Sequence, residues 1–135
     1  MANVLIEIGA KLAALGLGTV GTDIFLGELP ASPYACGVVY EYGGIAPEKS
    51  FSTSTLRFET PAVQVVFRGL PGDYASPRAK AATAFAGLAA IEATTLSGTI
   101  YYEITPQQSP FMLTRDENEC VLIATNYLCQ KEISA

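Results

Sequence analysis

The chain contains no histidine among its 135 residues, which removes the side chain most used as a general base and as a transition-metal ligand. Ser–His and Cys–His nucleophile pairs are therefore impossible. Carboxylates remain, and Glu41, Glu103, Asp116, Glu117 and Glu119 are those from which an acid/base pair or a hard-cation site would be drawn. None sits in a loop with calcium-binding spacing, and solvated positions on loops and strands account for them. Cys36, Cys120 and Cys129 show no CxxC pairing of the kind a zinc site uses. They are odd in number, and Cys120 and Cys129 fall an odd number of positions apart on one expected strand, facing opposite ways. This argues against a structural disulfide, fits a reducing compartment and makes each cysteine a small core residue.

Two further patterns invite a ligand. Gly16-Leu-Gly18-Thr-Val-Gly21 matches the dinucleotide fingerprint G-x-G-x-x-G, whose physics requires a strand before it and a helix after it, so that the helix N-terminus faces the pyrophosphate. Here the expected order is reversed, which points the negative end of a helix dipole at the loop and makes the glycines a helix exit. Tyr40, Tyr42, Tyr101, Tyr102 and Tyr127 fall on expected strands, as on a base-stacking sheet. With no basic residues beside them, packing in the core and at interfaces is the better account. No cofactor and no metal are expected.

The elements that must position these residues follow from composition and periodicity. Half the residues are hydrophobic and 16% are charged, far from a disordered composition, and the length suits one domain, residues 1–135. A small chain this poor in charge has trouble covering itself with polar surface, so neighbouring subunits are expected to cover part of it. A net charge of -5 with no cluster of Lys and Arg disfavours sequence-independent nucleic-acid binding. The apolar start around Val4-Leu5-Ile6 is broken by Glu7 and Lys11 and has no basic n-region, and no stretch is long and uncharged enough to span a membrane.

Val4, Leu5, Ile8, Leu12 and Leu15 lie near helical spacing, with Asn3 as N-cap and Gly16, Gly18 and Gly21 as terminators. Strands are predicted at about 23–26, at 36–42 and from Pro61, where Val63, Val65 and Phe67 alternate with Gln64, Val66 and Arg68. Ser76-Pro77 predicts the start of a second helix to about Ala90, with Ser76 as cap and a buried stripe of Ala81, Ala82, Phe85, Leu88 and Ala89. Strands at 99–104, with Ile100, Tyr102 and Ile104 on one face, and at roughly 120–130 complete the set; the last is nearly all apolar and belongs in the sheet centre. The fold class is therefore α+β: a roughly five-stranded, mostly antiparallel sheet with two helices packed on one face. Two long loops are expected, 43–60 and 105–118, each of a length usually reserved for binding or mobility.

The succession of Pro33 with Cys36-Gly-Val-Val-Tyr-Glu-Tyr-Gly-Gly44, Pro61-Ala-Val-Gln-Val-Val-Phe-Arg68, Tyr74-Ala75 opening an alanine-rich helix, Ile104-Thr-Pro-Gln-Gln-Ser-Pro110, Arg115-Asp-Glu-Asn118 and Asn126-Tyr127 resembles the tail terminator, or tail completion, proteins of long-tailed bacteriophages, a family also called minor capsid proteins. The likeness runs from about residue 4 to 130 and lies in order and spacing, not in any one motif. It implies a structural virion protein, made in the host cytoplasm, that forms a ring, usually a hexamer, on the head-proximal end of the tail tube. Such a ring stops tube growth and offers a surface to the connector and neck proteins that join tail to head. Its implied partners are copies of itself, the tail tube protein and the neck, with phage DNA passing through the lumen unbound.

Phe51, Leu56, Phe58, Phe111, Met112, Arg115 and Asp116 are the expected contact residues, because the apolar ones lie in the two long loops with no obvious core position. Two other readings stay open: another head-tail joining or tail-tube component, and a small enzyme or nucleotide-binding module with its pocket near Gly16–Gly21.

Overall fold

The computed structural model of the chain describes residues 3–49 and 56–133, with side chains at 47–49, 56 and 57 excepted. Asn3 opens the first helix, α1 (Val4–Ala14), its side-chain oxygen accepting the Ile6 N–H at 3.0 Å, as an N-cap does. The helix stops before Gly16, which takes a φ of +81° that other residues resist. After a turn comes β1 (Ile24–Leu26), parallel to the start of β2 (Cys36–Lys49), which pairs antiparallel with β3 (Leu56–Pro71). Then come α2 (Ala75–Ala89), β4 (Glu92–Leu96), β5 (Thr99–Pro106), β6 (Phe111–Arg115) and β7 (Cys120–Glu132).

The seven strands of the described residues form one sheet in the order β1-β2-β3-β7-β5-β4, with β6 also paired to β7. β6 lies against residues 121–124 of β7 and β5 against residues 127–131, on the side away from β3. The strands β3 and β7 therefore have neighbours on both sides, and their apolar residues alternate between two clusters. Val63, Val65, Phe67, Val121, Ile123, Tyr127 and Cys129 pack with Val4, Ile8 and Leu12 of α1 and Ala81, Ala84 and Leu88 of α2. Val38, Val66, Leu122 and Ala124 form a smaller cluster on the other face, beneath Phe25, Leu29, Tyr40 and Phe111. Both helices thus share one face, as expected for the α+β class.

The strand count corrects the expectation of five. β4 and β5 are joined by Ser97-Gly98, with φ of +49° and +87° and Leu96 opposite Thr99, which are the left-handed central positions of a tight two-residue hairpin turn. The expected loop 43–60 is largely strand: β2 continues to Lys49 and β3 begins at Leu56. The expected loop 105–118 contains β6, held by a hairpin turn in which Asp116 Oδ1 accepts the N–H groups of Asn118 and Cys120.

Two assignments of facing and one helix cap also change. Thr99, Tyr101 and Ile104 point inward on β5, while Ile100 and Tyr102 are exposed, because a register shift between Tyr101 and Glu103 reverses the alternation partway along. α2 buries Pro77, Ala81, Ala84 and Leu88, leaves Phe85 half-buried and exposes Ala82 and Ala89; alanine on nearly every side leaves little contrast from which to read a face. Its first turn is capped by Asp73, whose Oδ1 accepts the Ser76 N–H at 3.1 Å, and not by Ser76 itself.

Glu7, in the first turn of α1, is fully buried. Its Oε1 accepts from Lys131 Nζ and from Tyr101 Oη, each at 2.7 Å, which ties the first helix to the last strand across 124 positions. Burial by itself would raise the Glu7 pKa, but hydrogen bonds from Lys131, Thr99 and Tyr101 outweigh it and hold the carboxyl below its usual 4.5. A group with a lowered folded pKa stabilises the fold above the unfolded value, and that stability is lost as the pH falls through the folded one. Glu7→Gln is therefore expected to flatten the loss of stability below pH 4.5, measured as urea midpoints across an acid series.

Candidate interaction surface

The candidate contact residues do not converge. Phe51 lies outside the described residues, and Leu56 opens β3 with its side chain undescribed. Phe58, near the same end of β3, is half-buried and meets Tyr102 edge-on, ring centroids 6.0 Å apart. Phe111, Met112 and Arg115 stand together on β6, at the other end of the sheet. Phe111 is half-buried against the smaller cluster, Met112 is 49% exposed, and Arg115 is exposed with a 3.8 Å ion pair to Glu119. Asp116 is a turn-former, its carboxylate spent on backbone N–H groups.

The sequence reading missed a second exposed set. β1 covers β2 only at residues 37–39. Gly37 N–H donates to Asp23 O, and Val39 O accepts from Gly27 N–H, so the odd-numbered residues of this stretch aim their backbone groups away from β3. From Glu41 onward β2 is an edge, and residues 41–46 are all exposed, Tyr42 and Ile45 among them. Tyr42 reaches across the open face of the sheet to donate from Oη to Gln107 Oε1 at 2.8 Å, leaving Ile45, at 58%, the barest large apolar residue among the described ones. On β6, Leu113 is 44% exposed beside Met112. The overlooked signal was the Tyr-x-Tyr alternation running into Gly43-Gly44, read as a strand end where it marks a register shift within a longer strand.

Among the described residues the polar groups do not converge on one site. The depression of about 520 Å³ between α2 and β5 sets Glu92 directly opposite Glu103, which accepts from Thr105 Oγ1 at 2.7 Å, and has no cation among its lining residues. Among the described residues no group of three or more His, Cys, Asp or Glu could hold a metal ion. All three cysteines are free and buried; burial pushes the Cys129 thiol up to about 12 and raises Cys36 despite the Arg68 guanidinium beside it, so neither is a ready thiolate. The glycine run from Gly16 to Gly21 follows a helix and precedes β1, and a Cβ on Gly18 would stand 2.5 Å from Asp23 Oδ1, so the loop is closed on itself, with no helix N-terminus facing it. Among the described residues no helix is long and apolar enough to cross a membrane.

Compared with known proteins, residues 11–133 match the family model described as bacteriophage tail terminator protein. The chain belongs to that family. It is accordingly a structural component of a phage virion, located at its tail. A solved chain from the virion of a native gene transfer agent particle is similar in fold, with a TM-score of 0.62 at 14% identity over 96% of this chain and 95% of that one. No curated protein sequence matches it. Within the terminator family, a surface carrying apolar side chains on bare strands is the feature to be explained.

Proposed function

We propose that the protein is the terminator ring of a phage tail: copies close into a ring, hexameric on the resemblance to the family, that sits on the head-proximal end of the tail tube, ends its growth and presents a face to the neck and connector proteins. The observation that carries this reading is the family match over nearly the whole chain, joined to exposed apolar residues on both margins of its sheet. A repeated heterologous contact closes a ring when its rotation completes a circle. The role is structural and non-catalytic, and the acidic balance of -5 suits a channel through which DNA slides without adhering.

Imaging of the purified protein alone and with tail tubes that lack a terminator tests it. Discrete rings, or caps on one end of the tubes that block further extension, are the expected result. Open-ended cylinders of the protein itself would instead make it a tube component, and a protein that neither forms rings nor binds tubes would overturn both.

A further inference from the structure

Resting on the ring reading, we propose where its subunits meet: the bare half of β2 in one copy adds, antiparallel, to β6 of the next, so that the sheet continues from subunit to subunit. The two segments lie on opposite margins of the sheet. β2 is paired only to β3 beyond residue 39, and β6 is paired only to β7. Each offers a row of backbone donors and acceptors pointing outward, the usual template for strand addition. Monomeric proteins guard such edges with lysine and proline; residues 41–46 and 111–115 contain neither, and on β2 they come only at its far end, as Pro47 and Lys49. Register shifts recur from Tyr42 to Lys49, so residues 41–42 are the regular part of this edge, and the first shift leaves it open, since a Cβ on Gly43 would meet nothing within 4 Å.

The side chains agree with this pairing. Tyr42 and Ile45 on one margin and Met112 and Leu113 on the other are exposed apolar residues, and the charge on the first segment is Glu41 while that on the second is Arg115. Strand direction separates β6 from the rival edge, β4. Within the sheet β2 and β7 run one way and β3, β5 and β6 the other, while β4, antiparallel to β5, runs with β2. Rotation about an axis along the strands preserves those directions, so a neighbour's β2 meets β6 antiparallel and would meet β4 parallel, the weaker pairing. β4 also carries Glu92, which would face a glutamate-bearing strand, and its second residue, Ala93, has a φ of +48°. The bare part of β2 and β6 lie at different heights on the sheet, the first level with residues 127–132 of β7 and the second with residues 121–124. Strands in a closed sheet are offset in this sense as they tilt around the axis.

Cross-linking under conditions where imaging shows the wild type assembled tests the contact. Ile45→Cys and Met112→Cys proteins are treated with a short bismaleimide separately and as a mixture, the buried native cysteines making the wild type the unreactive control. The expected result is a covalent dimer from the mixture and none from either variant alone; the double variant I45C/M112C should give a ladder ending at the ring size. Self-linking of either single variant would show a two-fold contact and overturn the proposal. So would a dimer formed by Ile45→Cys with Thr95→Cys, on β4, and none with Met112→Cys. If the wild type forms rings and no mixture cross-links, the edge assignment fails while the ring stands. If the wild type never assembles, alone or on tubes, both fail.

Discussion

Replacing Lys131 with methionine is expected to destabilise the fold by about 3–5 kcal/mol, because it leaves the Glu7 carboxylate buried without its cation. Lys131 is 1% exposed and Glu7 fully buried. The Lys131 Nζ donates to Glu7 Oε1 at 2.7 Å, lies 3.8 Å from Glu59 Oε1 and stands over the Tyr101 ring at 5.4 Å. A domain of this size has about 5–15 kcal/mol in total, so the single variant should be close to unfolding at room temperature. The double variant Glu7→Met with Lys131→Met should recover most of the loss, since a buried ion pair replaced by apolar side chains of similar volume is often neutral or better. Urea denaturation of the wild type and the two variants measures both effects. A Lys131→Met protein as stable as wild type would show that the pair is solvated or rearranged in solution.

The second large effect is expected at Arg68. Its guanidinium is buried, 6% exposed, and among the described residues its hydrogen-bond partners include no carboxylate: Nε donates to Tyr34 O, and Nη2 to Pro30 O and Pro33 O, each at 2.7 Å, and to Cys36 Sγ at 3.6 Å. One side chain near the end of β3 thus gathers the loop between β1 and β2, in which three residues offer it a backbone acceptor. Arg68→Ala should cost about 3 kcal/mol, two or more charge-assisted bonds at 1.5–3 kcal/mol each less what water restores. It should also raise amide exchange at residues 31–36 well before the helices are affected. Arg68→Lys should recover only part, because an ammonium lacks the planar fork that serves several carbonyls at once. Unchanged exchange in that loop would mean that it is held by its own turns.

What could be read from residue order was the part governed by short-range physics. The helix from Val4, its asparagine cap and its glycine end follow from capping and left-handed turns, and they appear where expected. Val63, Val65 and Phe67 alternate with Val66 and Arg68 on a strand buried on both faces, as two-residue periodicity dictates. The reversed order of helix, glycines and strand argued against the nucleotide fingerprint, and the succession of strand and turn motifs pointed to the family that the comparison shows. β4 was missed although Ser97-Gly98 is a hairpin signal, because Glu92-Ala-Thr-Thr-Leu96 is mostly exposed and has little apolar alternation to announce it.

The contact surface was legible only in part. Phe111, Met112 and Arg115 could be picked out as residues without a core position, yet nothing local says that they form a strand on the margin of β7, because that strand exists only through its register with residues 121–124. The same holds for the bare half of β2: an edge is defined by the neighbour it lacks, and a sequence shows which residues are fit to pair, not which are left unpaired. The inward turn of Tyr101 depends on a register shift that local alternation does not contain, and the Glu7–Lys131 pair joins residues whose separation along the chain puts them beyond any periodicity. Residue order was enough for both helices, five of the seven strands, the class of fold, the want of a histidine-based active site and the family. Tertiary structure alone decided which strand edges stay open and which charges are buried together, because both arise from pairings between distant segments, set by the balance of burial and hydrogen bonding over the whole sheet.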